Sequence, residues 1–112
     1  MQDEYVVVDL ETTGFNEGGK DSIIEIGAVK MKDGVILEKY DELINPGVKL
    51  EQKIIDVTSI TDEMLEGKDN EENAIKRFIE WFGDLPMVAH NAKFDVSFLE
   101  MAYKKYNLGT FK

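Results

Sequence analysis

The sequence predicts an α/β fold: an antiparallel three-strand meander, then helices with one short strand between them. Three observations carry that prediction. Tyr5-Val6-Val7-Val8 is a short, β-branched run of the kind that fills interior strands covered on both faces. Asp33-Gly34 divides two apolar stretches as a two-residue hairpin turn would. Between Ala74 and Phe82 the apolar positions recur at helical spacing.

The first strand is the central one and ends in Asp9-Leu10-Glu11-Thr12-Thr13-Gly14. Side chains alternate along a strand, so Asp9 and Glu11 leave on one face with Cα atoms roughly 7 Å apart. Like charges at a partly buried strand end raise each other's pKa and oppose folding. A divalent cation removes that conflict, and oxygen donors without cysteine suit Mg²⁺ or Mn²⁺. On the pair alone, two solvated acids at a strand exit, with Thr12, Thr13 and Gly14 as an ordinary turn, are the favoured reading. The apolar strand and the small residues after it favour a site, because hydroxyls and backbone N–H groups there can approach a ligand closely.

Phe15 to Asp21 is rich in Gly and polar residues and reads as a loop. Ile23 to Met31 and Val35 to Ile44 form strands two and three, with Lys and Glu facing solvent toward the edge. Asn45-Pro46-Gly47 stops the third strand, and a helical turn or two begins near Thr61, whose hydroxyl can cap it. A helix over Asn70 to Phe82 has Asp69 or Asn70 as its cap and puts Trp81 in the core; Gly83, Asp84 and Pro86 end it. Met87 to Ala89 reads as a short buried strand with His90 and Asn91 at its carboxyl end. A second helix runs from about Ala92 to Tyr106 and closes at Gly109. In it Asp95 shares a face with Leu99, Ala102 and Tyr103, an acid where the pattern calls for an apolar residue. First-turn dipole stabilisation, up to about 1 kcal/mol, explains such an acid equally well.

With 112 residues, 43% of them hydrophobic, the chain makes one domain with a modest core, and it holds no repeat, low-complexity segment or linker. The absence of cysteine excludes a disulfide scaffold and fits a reducing compartment. Neither a basic leader nor a bilayer-length apolar run is present, so a cytoplasmic protein without membrane partners is expected. A net charge of −10, with Arg77 as the single arginine, excludes a broad basic surface for nucleic acid. A polyanionic substrate would need bound metal ions and neighbouring domains to supply attraction. Most of the acid excess serves solubility.

Five stretches in fixed order carry a resemblance: Asp9-Leu-Glu-Thr-Thr-Gly14, Ile23-Ile-Glu-Ile-Gly-Ala-Val-Lys30, Ile44-Asn-Pro46, Thr58-Ser-Ile-Thr-Asp-Glu-Met-Leu65 and Val88-Ala-His-Asn-Ala-Lys-Phe-Asp95. Together they resemble the DnaQ-like (DEDDh) 3′–5′ exonucleases over nearly the whole chain, most closely the proofreading exonuclease domains of PolC-type polymerase III α subunits. The resemblance implies a ribonuclease-H-like fold in which a fourth strand runs parallel to strand one. It further implies two Mg²⁺ or Mn²⁺ ions and hydrolysis of the 3′-terminal phosphodiester with release of 5′-mononucleotides.

Residue by residue, the resemblance assigns Asp9 and Glu11 to the catalytic metals and Asp95 to the second-motif acid that supports them. Leu10, Thr12, Thr13 and Gly14 become the floor under the terminal nucleotide. Ile60, with Thr61, falls near the terminal base, and Ser59 stands where the family has glycine. His90, Asn91 and Phe94 line the site, His90 as a substrate contact and not as the general base. The implied partners are the 3′ end of single-stranded DNA (or RNA) and polymerase domains of the same or an associated chain. The family's third motif, His-x-x-x-x-Asp, has no counterpart, nor do a fifth strand and a last helix. The 112 residues are therefore expected to be the N-terminal portion of one exonuclease domain, inactive alone. Two rival readings are a 3′–5′ exoribonuclease and a non-catalytic module that keeps the fold, the latter disfavoured by the intact acids.

Overall fold

The computed structural model describes residues 4–14, 21–89 and 92–109. Strand β1 (Glu4–Thr12) pairs antiparallel with β2 (Ile23–Lys32), and β2 pairs antiparallel with β3 (Val35–Leu43). The turn between β2 and β3 is Asp33-Gly34, both with positive φ, 52° and 79°, the mirror-image geometry whose twist matches the strands it joins. Strand β4 (Met87–Ala89) adds in parallel beside Val6–Val8, giving one sheet in the order β3-β2-β1-β4 with β1 interior.

Helix α1 spans Gln52–Thr58, α2 Asp62–Leu65, α3 Glu71–Phe82 and α4 Ala92–Lys105. Asn70 caps α3 by accepting the Asn73 N–H at 2.9 Å, and Thr61 caps α2 by accepting from Met64 at 3.3 Å. Helix α4 closes at Asn107, in left-handed conformation, with Leu108 N–H returning to the Tyr103 carbonyl at 2.8 Å. The expected closure at Gly109 thus falls two residues earlier, because asparagine also tolerates the left-handed region.

The core lies on the face of the sheet that carries Val6, Val8 and Leu10, where α3 brings Ala74, Ile75 and Phe78 and α4 brings Phe98, Leu99 and Ala102. A smaller cluster of Ile24, Leu50, Ile60 and Leu65 seats α2 and the segment before it against the start of β2. Two expectations change here. β4 is not buried: Val88 is 51% exposed. Nor is β1 covered on both faces, since Val7 is half-buried and, on β3, Leu37 is 47% exposed. Trp81 sits at the rim of the core, half-buried against Tyr40 and Phe78, with its indole N–H donating to Glu38 at 3.1 Å. Tryptophan takes this position because its N–H needs a partner.

Helix α1 has no cap signal: Glu51 at its N-terminus makes no side-chain capping bond, and no residue of the helix is fully buried. Local bonds support it instead, from Gln52 to Asp56 at 2.9 Å and from the Thr58 hydroxyl to the Ile54 carbonyl at 2.8 Å. Its inner side, Ile54 and Ile55, rests on the smaller cluster.

One buried carboxylate ties the layers together. Glu71 accepts the Ile23 backbone N–H at 2.8 Å and the Tyr106 hydroxyl at 2.6 Å, joining the start of α3, the start of β2 and the end of α4. Burial, then the bond to Glu71, pushes the Tyr106 hydroxyl well above the usual tyrosine range. Replacing Glu71 by Ala strands both donors, so urea unfolding is expected to show a loss of about 2 kcal/mol or more. Tyr106→Phe, which leaves the Ile23 bond intact, is expected to lose about 1 kcal/mol.

Candidate active site

Strand β1 delivers Asp9 and Glu11 to its carboxyl end on the face away from the helices, and just beyond Glu11 its pairing with β2 shifts register at a bulge with Ile24 the extra residue on β2. Bulges of this kind re-aim side chains next to functional sites. Asp95, in the first turn of α4, is 1% exposed, and Leu99, Ala102 and Tyr103 on the same helical face are buried with it, as the spacing predicts.

The charges of Asp9 and Asp95 both reach Glu11. Burial, then the charge of Asp9, then that of Asp95 raise the pKa of Glu11. The field continues across the sheet into Glu25, opposite Glu11 on β2. Burial, then a hydrogen bond and charge from Asp41, with smaller contributions from Glu11 and Asp9, push Glu25 up to about 7.

Hard oxygen donors converging in mutual repulsion fit a divalent cation in chemistry. Among the described residues, no three His, Cys, Asp or Glu side chains stand close enough together to enclose an ion as they are. Three carboxylates with no positive charge between them keep apart.

A cavity of about 530 Å³ opens beside Glu11. Leu10, Thr12, Thr13 and Gly14 form one side, Phe94 of α4 borders it, and Ile54, Val57 and Thr58 of α1 form the facing wall. Val57 is 82% exposed, an apolar side chain held out beside the cavity. Sequence reasoning missed this wall, because α1 lacks both a cap and a buried stripe; Val57 left outward by a helical segment is the signal available only in retrospect. Among the described lining residues Lys53 is the one cation, 3.6 Å from Glu51.

The two threonines behave differently from expectation. Thr12 Oγ1 donates to the Gly14 carbonyl at 2.7 Å. Thr13 Oγ1 donates to Asp21 at 2.9 Å and accepts the Ser22 N–H at 2.9 Å. Both hydroxyl hydrogens are committed within the protein, so these side chains shape the floor and do not reach for a ligand. Ile60 is 3% exposed among Ile24, Leu50 and Leu65, and it borders a separate cavity with Glu25, Asp41 and Thr58. Phe94 borders the cavity and packs against Phe98 with ring centroids 4.9 Å apart. His90 and Asn91 lie outside the described residues.

An α/β sheet of this order with paired acids on its central strand matches the exonuclease family RNase_T over residues 6–110, and the chain belongs to that family. Among its relatives are the DNA polymerase III PolC-type proteins of Listeria monocytogenes serovar 1/2a and of Bacillus subtilis strain 168. Each is 47% identical over 104 residues, which is 93% of this chain and 7% of the relative. The chain is an exonuclease domain homologous to that part of PolC and spans about 7% of the length of those relatives. Its fold is the ribonuclease-H-like fold of Escherichia coli exonuclease I: the complex of that enzyme with a dA16 oligonucleotide aligns with a TM-score of 0.81 at 18% identity, over 94% of this chain and 24% of that one. The zinc-bound exonuclease I–single-stranded DNA complex aligns with a TM-score of 0.81 at 18% identity, over 95% of this chain and 24% of the other.

Raised carboxyl pKa values make the folded chain hold protons that the unfolded chain has already released. For Glu11 and Glu25 the stabilisation is complete below the ordinary glutamate value of 4.5 and, for Glu25, is lost as pH rises through about 7. Urea unfolding in EDTA is expected to give a lower midpoint at neutral pH than near pH 5, and Asp41→Asn is expected to flatten that decline. An unchanged slope in Asp41→Asn would remove the Asp41 contact from the explanation.

Proposed function

We propose that this chain carries the metal-dependent 3′–5′ proofreading exonuclease site of a PolC-type DNA polymerase III, acting on the 3′ end of single-stranded DNA. One observation carries the reading: Glu11, which borders the cavity whose floor is Thr12–Gly14, lies in the field of both Asp9 and Asp95. The PolC relatives favour DNA over RNA as substrate and polymerase domains as covalent neighbours. Among the described residues no helix is long and apolar enough to cross a membrane, which agrees with a cytoplasmic role in replication.

Asp9 and Glu11 would hold two Mg²⁺ or Mn²⁺ ions, with Asp95 supporting them directly or through water. Such ions, when bound, polarise the phosphodiester and lower the pKa of an attacking water. The protein's own part is positioning. Phe94 and Val57 offer apolar surface to the terminal base, and the Thr12–Gly14 backbone carries its sugar. His90 and Asn91 belong to the same motif as Phe94 and are proposed substrate contacts. Leu10 backs the floor from the core, while Ile60 supports the second wall from beneath. With Glu11, Asp21 and Glu51 also bordering the cavity, a phosphate can enter only when cations offset these charges.

A general-base histidine and a fourth acid, in a His-x-x-x-x-Asp segment, are proposed to come from polypeptide outside these 112 residues. The half-open face of the sheet beside Val7 and Val88 offers apolar surface for a further element to cover.

With only part of a cooperating site, the 112-residue chain is expected to degrade a 3′-labelled strand in Mn²⁺ at a rate lower by orders of magnitude than a polymerase-length relative. Robust digestion would overturn the assignment of the missing groups. Matched DNA and RNA strands given to the long form separate deoxyribonuclease from ribonuclease action. Metal binding is read independently of activity: Mn²⁺ at about a hundred times its Kd is expected to stabilise the chain by about 2.7 kcal/mol. Asp9→Ala should abolish that shift, and a full shift in this variant would sink the metal assignment.

A further inference from the structure

Asp21 stands at the far side of the Phe15 to Lys20 segment from Gly14, yet its carboxylate lies directly on the floor of the cavity. A methyl group added at Gly14 would meet Asp21 Oδ1, Oδ2 and Cγ at 2.8, 2.8 and 2.9 Å, so carboxylate and glycine are in close contact and a larger residue would displace the carboxylate. The same carboxylate accepts the Thr13 hydroxyl at 2.9 Å. Thr13 in turn accepts the Ser22 N–H and donates its own N–H to the Ser22 carbonyl, both at 2.9 Å. Next in the chain, the Ile23 N–H is fixed by buried Glu71 at 2.8 Å. A continuous set of bonds therefore runs from the protein core to the floor.

Resting on the exonuclease reading above, we propose that Asp21 is a positioning residue, which sets the height and orientation of the Thr13–Gly14 backbone under the terminal nucleotide. An ionised carboxylate only accepts, so it forces the Thr13 hydroxyl to donate toward it and leaves that oxygen's lone pair for Ser22. The bond directions are then determined, and the floor has one arrangement. Charge is not what the role requires, since the cavity is already acidic. The requirement is a fixed acceptor of the right reach. A floor displaced by a fraction of an ångström would weaken the grip on a nucleotide without disturbing Asp9, Glu11 or Asp95.

Thymidine 5′-monophosphate titrated into the isotopically labelled chain in saturating Mg²⁺, followed by amide NMR, tests this. Asp21→Ala is expected to bind the nucleotide about tenfold more weakly, while Asp21→Asn, which keeps an acceptor oxygen, stays within about threefold of the unmodified chain. Mg²⁺ affinity is expected to be the same in all three. Equal nucleotide affinity in Asp21→Ala overturns the proposal, and so does an Asp21→Asn loss as large as that of Ala, which would mean that charge is what matters. If Asp21→Ala loses its dispersed spectrum, Thr13→Val reads the same clamp from the other side: about a tenfold loss supports it and no loss overturns it. If the unmodified chain shows no shift at Thr12–Gly14 on adding nucleotide, the exonuclease reading fails, and this inference with it.

Discussion

Glu11 lies in the field of two other carboxylates. Asp9 precedes it on the same face of β1, and Asp95 arrives from α4, almost wholly buried. Holding three acids within one another's field opposes folding at neutral pH, and hydrophobic packing around them must absorb the cost. That packing is visible on both sides: Val6, Val8 and Leu10 anchor the strand, and Phe98, Leu99 and Ala102 anchor the helix. Asp95 can stay where it is because the apolar residues of its own face leave the helix no other seat.

The rest of the molecule keeps these two elements in register. Parallel pairing of β4 with Val6–Val8 leads directly into α4 and fixes where its first turn begins. Glu71 then ties the far end of α4, through Tyr106, to the start of β2, and so to the strand opposite Glu11. A buried carboxylate spent on a structural junction and a cluster of acids left in repulsion are different uses of the same chemistry. The first is satisfied by neutral donors; in the second, neighbouring charge raises the pKa of Glu11.

On the second face of the sheet the picture is less closed. Glu25 and Asp41 extend the negative field away from Glu11 toward β3, and the apolar residues beyond them remain half-exposed. An acidic end and an apolar end thus lie side by side on one surface. The acidic end suits cations, and the apolar end suits a covering element. In the exonuclease reading both are supplied when the site is completed.

Much of this was legible from residues alone, for reasons that differ by element. Strand β1 was readable because three valines in a row have few other uses, and the β2–β3 turn because Asp-Gly favours the left-handed conformations it needs. Asp95 stood out as an acid inside an apolar stripe. Helix α1 was not readable: it has no capping side chain and no buried face, and only its seat on the Ile24 cluster selects it. The commitment of the Thr12 and Thr13 hydroxyls was equally hidden, since a threonine beside a site looks the same whether it faces a ligand or an aspartate eight positions on. Local pattern set the elements and the acids that end them. Which side chains meet across the chain, Glu71 with Ile23 and Asp21 with Gly14, was decided by packing, because such contacts join residues whose separation along the chain carries no periodic signal.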